Sequence, residues 1–267
     1  MRIKFMPTAL ITGASGGIGA AFAAELAKRQ HNLILVARSE DKLQQLAATL
    51  QQQFKVEVEV IVQDLSAPGA GTAVFDTVVK KGWTVDLLVN NAGFGDYGVF
   101  ADRPLDKQVT MVQLNIVALV ELSHLFLQGM RQRKSGSIIN VASIAAFQPM
   151  PYLSMYAATK AFVLSFSEAL WAENKDLGIR VLCLCPGPTE SDFFAVAEFP
   201  QSMASSSGQK LVPAAEVVRD ALKALDKNES NVVTGGIPNQ IIANMPRLMP
   251  RELLVKSVEK LFRAKEE

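Results

Sequence analysis

Seven short apolar runs, separated by longer amphipathic segments, constrain this 267-residue chain more than any other feature. The runs are 8–12, 32–37, 56–62, 86–90, 137–142, 179–185 and 231–234, rich in Val, Ile and Leu and bounded by Gly, Asn, Asp or Pro. Most are continuously apolar rather than alternating, the pattern of strands covered by helices on both faces of a parallel sheet. Between them, 17–29, 40–53, 67–81, 104–133, 153–175 and 214–226 carry helical periodicity. Ser39 is placed to cap the second helix ahead of Glu40 and Asp41, and Pro104 suits a first helical turn. Strand–helix alternation with right-handed crossovers predicts an α/β fold: a Rossmann-like, doubly wound parallel sheet of about seven strands with helices on both faces. No Pro/Ser-rich linker or internal repeat divides the chain, so 1–267 reads as one domain. The irregular stretch 187–211 is long for a compact domain, which marks it as a functional loop.

The first run leads into Thr12-Gly13-Ala14-Ser15-Gly16-Gly17-Ile18-Gly19 and then a helix. Glycines there permit a tight turn, close approach of the backbone to a pyrophosphate, and hard packing of helix on strand. The helix start adds unpaired N–H groups and a partial positive charge. A dinucleotide is therefore the expected ligand of Gly13, Ser15, Gly16, Gly17, Ile18 and Gly19. At the end of the second run stands Ala37, where an NAD site would place a carboxylate for the ribose 2′-hydroxyl; Arg38 and Ser39 follow. A forked guanidinium suits a 2′-phosphate, so the expected cofactor is NADP(H).

The longest stretch without a charged residue, 135–159, lies between Lys134 and Lys160. Its Gly136, Asn140, Gln148, Pro149 and Pro151 argue against a continuous membrane span and for a strand, a loop and a helix start. Ser143 falls at the carboxyl end of that strand, where open α/β sheets place their ligands. Tyr156 and Lys160 stand at i and i+4, on one face of a helix. A free phenol, with a pKa of about 10, is a poor acid–base catalyst at neutral pH. The Lys160 ammonium, together with the positive charge of an oxidised nicotinamide, is expected to lower it. Ser143 can donate to a carbonyl oxygen as negative charge develops there.

With these parts in place the chain resembles the short-chain dehydrogenase/reductase family over about residues 8–235. The resemblance rests on the glycine loop, Asp64-Leu65-Ser66, Asn90-Asn91-Ala92-Gly93, Asn115 in Leu-Asn-Ile, Ser143, Tyr156 with Lys160, and Pro186-Gly187 after the sixth strand. It implies pro-S hydride transfer at a carbonyl or alcohol carbon, served by Asn115, Ser143, Tyr156 and Lys160. It also implies that Asp64 binds the adenine amino group and Leu65 the ring through its N–H, with Asn91, Ala92 and Gly93 beside the adenine ribose. Asn115 would hold a helix distortion and a water reaching Lys160, which would itself meet the nicotinamide ribose. After Pro186 and Gly187, Thr189 and Ser191 would meet the carboxamide and phosphates; the family usually has Thr where Ser191 stands, and Ser keeps the hydroxyl. Residues 236–267 fall outside this pattern. Pro250 begins an amphipathic helix there with Leu254, Val258, Leu261 and Phe262 on one face, free to dock on its own subunit, join a homodimer or touch a membrane. Its mixed charge makes the membrane the weakest of these three.

Composition narrows the partners. Lys+Arg 27 against Asp+Glu 26 leaves a net charge of +1, which argues against a broad nucleic-acid surface. Two cysteines exclude a disulfide framework and fit a reducing, cytoplasmic setting, and with only His31 and His124 as histidines no metal site is expected. Residues 1–8 lack a signal-peptide pattern, and no membrane-spanning segment is expected. Aromatic and apolar candidates (94–100, 147–152, Phe193, Phe194, Phe199 and Met203) favour an apolar carbonyl compound or alcohol as substrate. A homo-oligomer, dimer or tetramer, is expected. Two other classes compete: a non-catalytic NADP-binding sensor, opposed by the intact Ser143, Tyr156 and Lys160, and a Rossmann-like methyltransferase, opposed by Arg38 and the Tyr-x-x-x-Lys pair.

Overall fold

Successive strand residues face opposite ways, and this two-residue period sorts the core into two layers. In β1 (Thr8–Thr12), Ala9 and Ile11 enter one apolar cluster while Leu10 enters the other. In β2 (Asn32–Ala37), Leu33, Leu35 and Ala37 join the first cluster, Ile34 and Val36 the second. With β3 (Val58–Val62), β4 (Leu87–Asn90), β5 (Gly136–Val141), β6 (Ile179–Cys185) and β7 (Asn231–Val233), they form one parallel sheet in the order β3-β2-β1-β4-β5-β6-β7. The computed structural model describes residues 6–200 and 211–263; Met203, with the 201–210 part of the expected loop, lies outside them. The chain winds outward from β1 to β3 and then returns to place β4 against the other side of β1. That reversal opens a crevice at the carboxyl ends of β1 and β4.

The helices are α1 (Gly17–Lys28), α2 (Glu40–Phe54), α3 (Ala70–Lys80), α4 (Leu105–Val112), α5 (Ala118–Arg133), α6 (Ser154–Asn174), the one-turn α7 (Phe193–Val196), α8 (Ala214–Asp226), α9 (Ile237–Asn244) and α10 (Arg251–Phe262). Phe22 and Leu26 of α1, Leu43 and Leu50 of α2, and Val217 and Leu222 of α8 cover one face of the sheet. Val74 and Val78 of α3, with Leu122, Phe126 and Met130 of α5, cover the other. The expected doubly wound architecture is thus observed.

Three local expectations are corrected. The predicted 104–133 helix is interrupted by a π-helical turn, Gln113–Val117, between α4 and α5. One extra residue in that turn widens it and coincides with the inward-facing, buried Asn115. Ser39 stands at the cap position of α2, but its hydroxyl makes no capping bond and the residue lines a cleft instead. Helix α9, begun by Ile237 and Pro238, had no counterpart in the periodicity.

One face of the last helix docks on its own subunit, the first of the three alternatives. Leu254 and Val258 are buried in a cluster with Tyr97, Met111, Met150 and Tyr156. The Tyr97 hydroxyl donates to the Phe262 carbonyl at 2.6 Å. The 105–133 helix is long and apolar enough to cross a membrane by length and composition. Its Met111, Leu119, Leu122, Phe126 and Met130 are buried within the chain.

Candidate active site

A cleft of about 700 Å³ opens at the crevice where the winding reverses. Gly13, Ser15, Gly16, Gly17 and Ile18 form its floor, and Arg38, Ser39, Asp64, Leu65, Asn91, Ala92 and Gly93 line it further along. Ser143, Tyr156, Lys160, Pro186, Gly187, Thr189 and Ser191 complete the set expected from the sequence. Gly19 and Asn115 are the two predicted site residues that do not line it. A Cβ on Gly19 would lie 2.2 Å from the Gly13 carbonyl oxygen, so its place is the helix–strand contact. Gly13 adopts φ +65°, and a Cβ there would come within 2.8 Å of the Asn91 amide. That amide is engaged with the turn: its Nδ2 donates to the Thr12 and Gly13 carbonyls at 2.9 and 3.2 Å. Thr12, which sequence reading passed over, accepts through Oγ1 from the N–H groups of Asn91 and Ala92, tying β1 to the loop after β4.

The dinucleotide expectation passes a direct test of room and charge. A side chain added at Gly16 would meet nothing within 4 Å, so the loop faces open space at the helix start. Arg38 lines the same cleft beside Ala37, with no carboxylate at the strand end. Asp64 accepts from the Ser66 hydroxyl at 2.7 Å and the Ser66 N–H at 2.9 Å. Those bonds, the hydroxyl foremost, hold its carboxyl below the usual range and keep it an acceptor at neutral pH.

Beyond this half of the cleft the chemistry-bearing groups converge. Ser143 heads a short 3₁₀ turn, Ile144–Phe147, and its Oγ accepts from the Ala145 N–H at 3.1 Å, which leaves the hydroxyl proton free to donate. Tyr156 lies inside α6 and lines the cleft together with Ser143. Burial pushes its phenol up to about 12, with the nearby Ser143 hydroxyl acting in the opposite direction. The lowered phenol expected from the sequence is thus not what the chain alone produces. Lys160 stands 5.8 Å from the Tyr156 ring centre, and its Nζ donates to the Val141 carbonyl at 2.8 Å. Its own burial brings it down to about 8. Desolvation dominates both shifts, and for Lys160 it outweighs the opposing pull of Cys183 and Cys185.

Asn115 supports the site from behind. Its Oδ1 accepts from the Phe94 N–H at 3.1 Å, while its Nδ2 donates to the Phe94 carbonyl and the Thr159 hydroxyl, both at 3.0 Å. A Cβ on Gly93 would sit 2.9 Å from Asn115 Oδ1 and 3.4 Å from Lys160 Nζ, so glycine lets the two approach. Deeper in the sheet, Ser123, Asn90, Asn140 and Ser167 form a buried hydrogen-bonded chain that joins α5 to α6 through β4 and β5.

The far wall is apolar. Phe193 packs 5.1 Å from the Tyr156 ring, in space that Gly95 keeps open. Phe94, Met150, Phe193, Phe194 and Phe199 line the cleft as expected, whereas Phe100, Phe147 and Tyr152 do not; Leu153, outside the expected spans, lines it too. Phe147 packs instead against Val163 and its neighbours, Phe100 is half-exposed outside, and Tyr152 stacks on Tyr97. Periodicity missed Lys107, Thr110 and Leu114 from α4 and the π turn, and Ile242 from α9. Leu261 and Phe262 also reach the wall; the only sequence signal for them was the apolar face of α10.

One ionic cluster fastens this wall. Asp96, its side chain fully buried, receives Arg103 Nε at 2.7 Å, Arg103 Nη2 at 2.5 Å, Lys107 at 2.6 Å and Gln108 at 2.6 Å. Burial acts to raise Asp96, but the Arg103 and Lys107 bonds outweigh it and hold the carboxyl below its usual range. Arg103 and Lys107 also reach Glu198, just beyond α7, at 2.7 and 2.5 Å.

The family model of the short chain dehydrogenases matches residues 7–200. Very-long-chain 3-oxoacyl-CoA reductase from Anas platyrhynchos is 40% identical over 186 residues, covering 67% of this chain and 58% of the relative. The enzyme of that name from Rattus norvegicus is 30% identical over 259 residues, covering 94% of this chain and 78% of the relative. The chain therefore spans under two thirds of the first relative and over three quarters of the second. A short-chain dehydrogenase from Sphingobium yanoikuyae in complex with NADPH superposes with a TM-score of 0.81 at 30% identity, covering 98% of both chains. The matched span includes the glycine turn, Asn115, Ser143, Tyr156 and Lys160, and the chain belongs to the short chain dehydrogenase family of oxidoreductases.

Proposed function

We propose that the protein is an NADPH-dependent reductase of an apolar ketone or aldehyde, also able to run the reverse oxidation. One observation carries this reading: the glycine turn, Arg38, and the Ser143–Tyr156–Lys160 group line one continuous cleft. The NADPH-bound structural relative supports the cofactor, and the 3-oxoacyl-CoA reductases support a carbonyl substrate on a long apolar chain. Bound NADPH would supply a pro-S hydride to the carbonyl carbon. Ser143 orients the carbonyl oxygen through the proton that its bond from Ala145 leaves free. Tyr156, neutral across the physiological range, donates the proton that completes the alcohol. Lys160 and Asn115 hold that phenol's surroundings, and Lys160 stabilises the phenolate left behind. The segment after β6 serves as a substrate lid, with Phe193 set against the reacting phenol.

Two free, buried thiols, Cys183 and Cys185, are consistent with the proposed cytoplasmic setting. A homo-oligomer, dimer or tetramer, without an integral membrane segment or nucleic acid, belongs to the same proposal. The competing reading is a cofactor sensor without turnover. A screen of NADPH oxidation over hydrophobic ketones, aldehydes and 3-oxoacyl thioesters decides between them; tight NADPH binding with no oxidation of any substrate would favour the sensor.

Two quantitative expectations follow from the cleft. Arg38→Ala should weaken NADPH by roughly tenfold or more and leave NADH nearly unchanged, since one charge-assisted pair is worth about 1.5–3 kcal/mol. Fluorescence titration with both cofactors measures this, and equal losses would refute a 2′-phosphate role. Lys160 is charged below about pH 8 and neutral above it. Reductive kcat/KM should therefore hold from pH 6 to about 8 and fall beyond, as the phenolate loses its ammonium neighbour. A rate that rises through pH 9 would contradict this assignment.

A further inference from the structure

Exposed large apolar side chains are not spread evenly over this protein. Ile237, Ile241, Leu248, Leu253 and Leu261, each more than half exposed, fall within α9, α10 and the turn between them. Leu248 is 86% exposed, and isolated surface leucines need no explanation, but such a concentration does. Ile237 and Ile241 share a face of α9 at i and i+4.

The same segment carries an excess of cations. Arg247, Arg251, Lys256, Lys260 and Arg263 stand against Glu252 and Glu259, and over the full 236–267 there are six basic and four acidic residues. The rest of the chain is slightly acidic, so the net positive charge resides here. Arg247, Arg251, Lys256 and Lys260 are exposed and form no ion pair among the described residues. Leu253, Lys256 and Lys260 lie on one face of α10, at i, i+3 and i+7, opposite the face on which Leu254 and Val258 dock. Apolar tips among long cationic side chains make a surface that lies on lipid with its charges at headgroup level.

We infer that α9, α10 and their connecting turn form a docking surface for an anionic lipid bilayer, at the mouth of the cleft. Charge selects this occupant over a second copy of the chain. A two-fold contact sets the same patch against itself, which would bring the Arg247, Arg251, Lys256 and Lys260 set of one copy against the like-charged set of the other. An anionic bilayer instead gains about 1 kcal/mol for each basic residue near its surface. Leu261 joins the surface to the site, since it is both 73% exposed and part of the cleft wall. Entry of an apolar substrate from the lipid rests on the function proposed above; lipid binding itself does not, so the two fail separately.

The test is co-sedimentation of the full chain with phosphatidylcholine vesicles, with and without phosphatidylglycerol. Binding should require phosphatidylglycerol and weaken in high salt. Leu248→Glu/Leu253→Glu and Lys256→Glu/Lys260→Glu should each cut it at least tenfold, about the loss of two basic or two inserted apolar residues. None of the four residues lines the cleft, so NADPH affinity and thermal midpoint serve as controls for folding. Failure of the wild type to sediment with anionic vesicles overturns the inference, as does full binding by both double variants. An oligomer that the leucine variant disperses, with vesicles ignored by the wild type, would reassign the face to self-association.

Discussion

Replacing Tyr156 with Phe should lower turnover by about 10²–10⁴-fold, the range for loss of a positioned general acid, while NADPH binds within about twofold of wild type. The substitution removes one oxygen and keeps the ring. Contacts with Phe193, Met150 and Leu153 are therefore retained, and the buried site loses a polar group rather than gaining a cavity. Ser143 keeps its bond from the Ala145 N–H, so the turn that presents it stays in place. The glycine loop and Arg38 lie at the other end of the cleft, which is why cofactor affinity should survive. Turnover and NADPH fluorescence titration, measured on the same preparation, separate the two effects. Turnover within tenfold of wild type would remove Tyr156 from the proton-transfer role and with it the mechanism above. Lost NADPH affinity would instead point to a collapsed cleft.

The largest effect on stability is expected at Asp96, three residues beyond the Asn90-Asn91-Ala92-Gly93 motif. Asp96→Ala strands Arg103, Lys107 and Gln108 around an empty, buried position. Breaking a buried pair by deleting one partner costs about 3–5 kcal/mol, and since Arg103 and Lys107 keep the exposed Glu198 the loss here lies at the lower end, about 3 kcal/mol. For a chain of this size the thermal midpoint should fall by roughly 10 °C. Glu198→Ala removes the exposed half of the same cluster, where solvent screening leaves less than about 1 kcal/mol. Its effect should therefore be small on stability and visible, if anywhere, in KM through the position of α7. The sign with pH follows from the depressed Asp96 carboxyl. Its contribution is fully present above the usual carboxylate pKa of about 4 and is lost as pH falls through the lower folded value. Acid should thus erase much of the difference between wild type and Asp96→Ala. Thermal scans at neutral and acid pH check both statements, and equal midpoints at neutral pH would sink them.

The strands were legible because a sheet covered on both faces writes continuous apolar runs, a local signal. Their ends shifted by a residue or two where pairing decides: β3 begins at Val58 because its partner is Leu33 at the start of the β2 ladder. The π-helical turn was not legible as geometry. A pattern of apolar residues three or four apart tolerates one inserted position, so 104–133 read as unbroken. Asn115 nevertheless belonged to the resemblance, and its bonds to Phe94 and Thr159 show what occupies the widened turn. Asp96, Arg103 and Lys107 carry no local signal of their ionic cluster, since nothing within a few residues of Asp96 announces its burial. Phe100 and Phe147 were misplaced for the same reason in reverse: aromatic residues near a site pattern need not face it.

By itself, the sequence determined the parts whose physics is local. The glycine pattern between the first strand and helix, the absence of a carboxylate at Ala37, the arginine after it, and the i, i+4 spacing of Tyr156 and Lys160 are complete within a few residues. Those signals carried the doubly wound fold, the expected dinucleotide and the identities of the reacting groups. Only the tertiary structure decided how those groups ionise, which walls face the cleft and where α10 docks. Burial and electrostatics sum over neighbours distant in the chain. Tyr156 is held neutral, and Lys160 is brought down to about 8, by desolvation that no spacing rule contains.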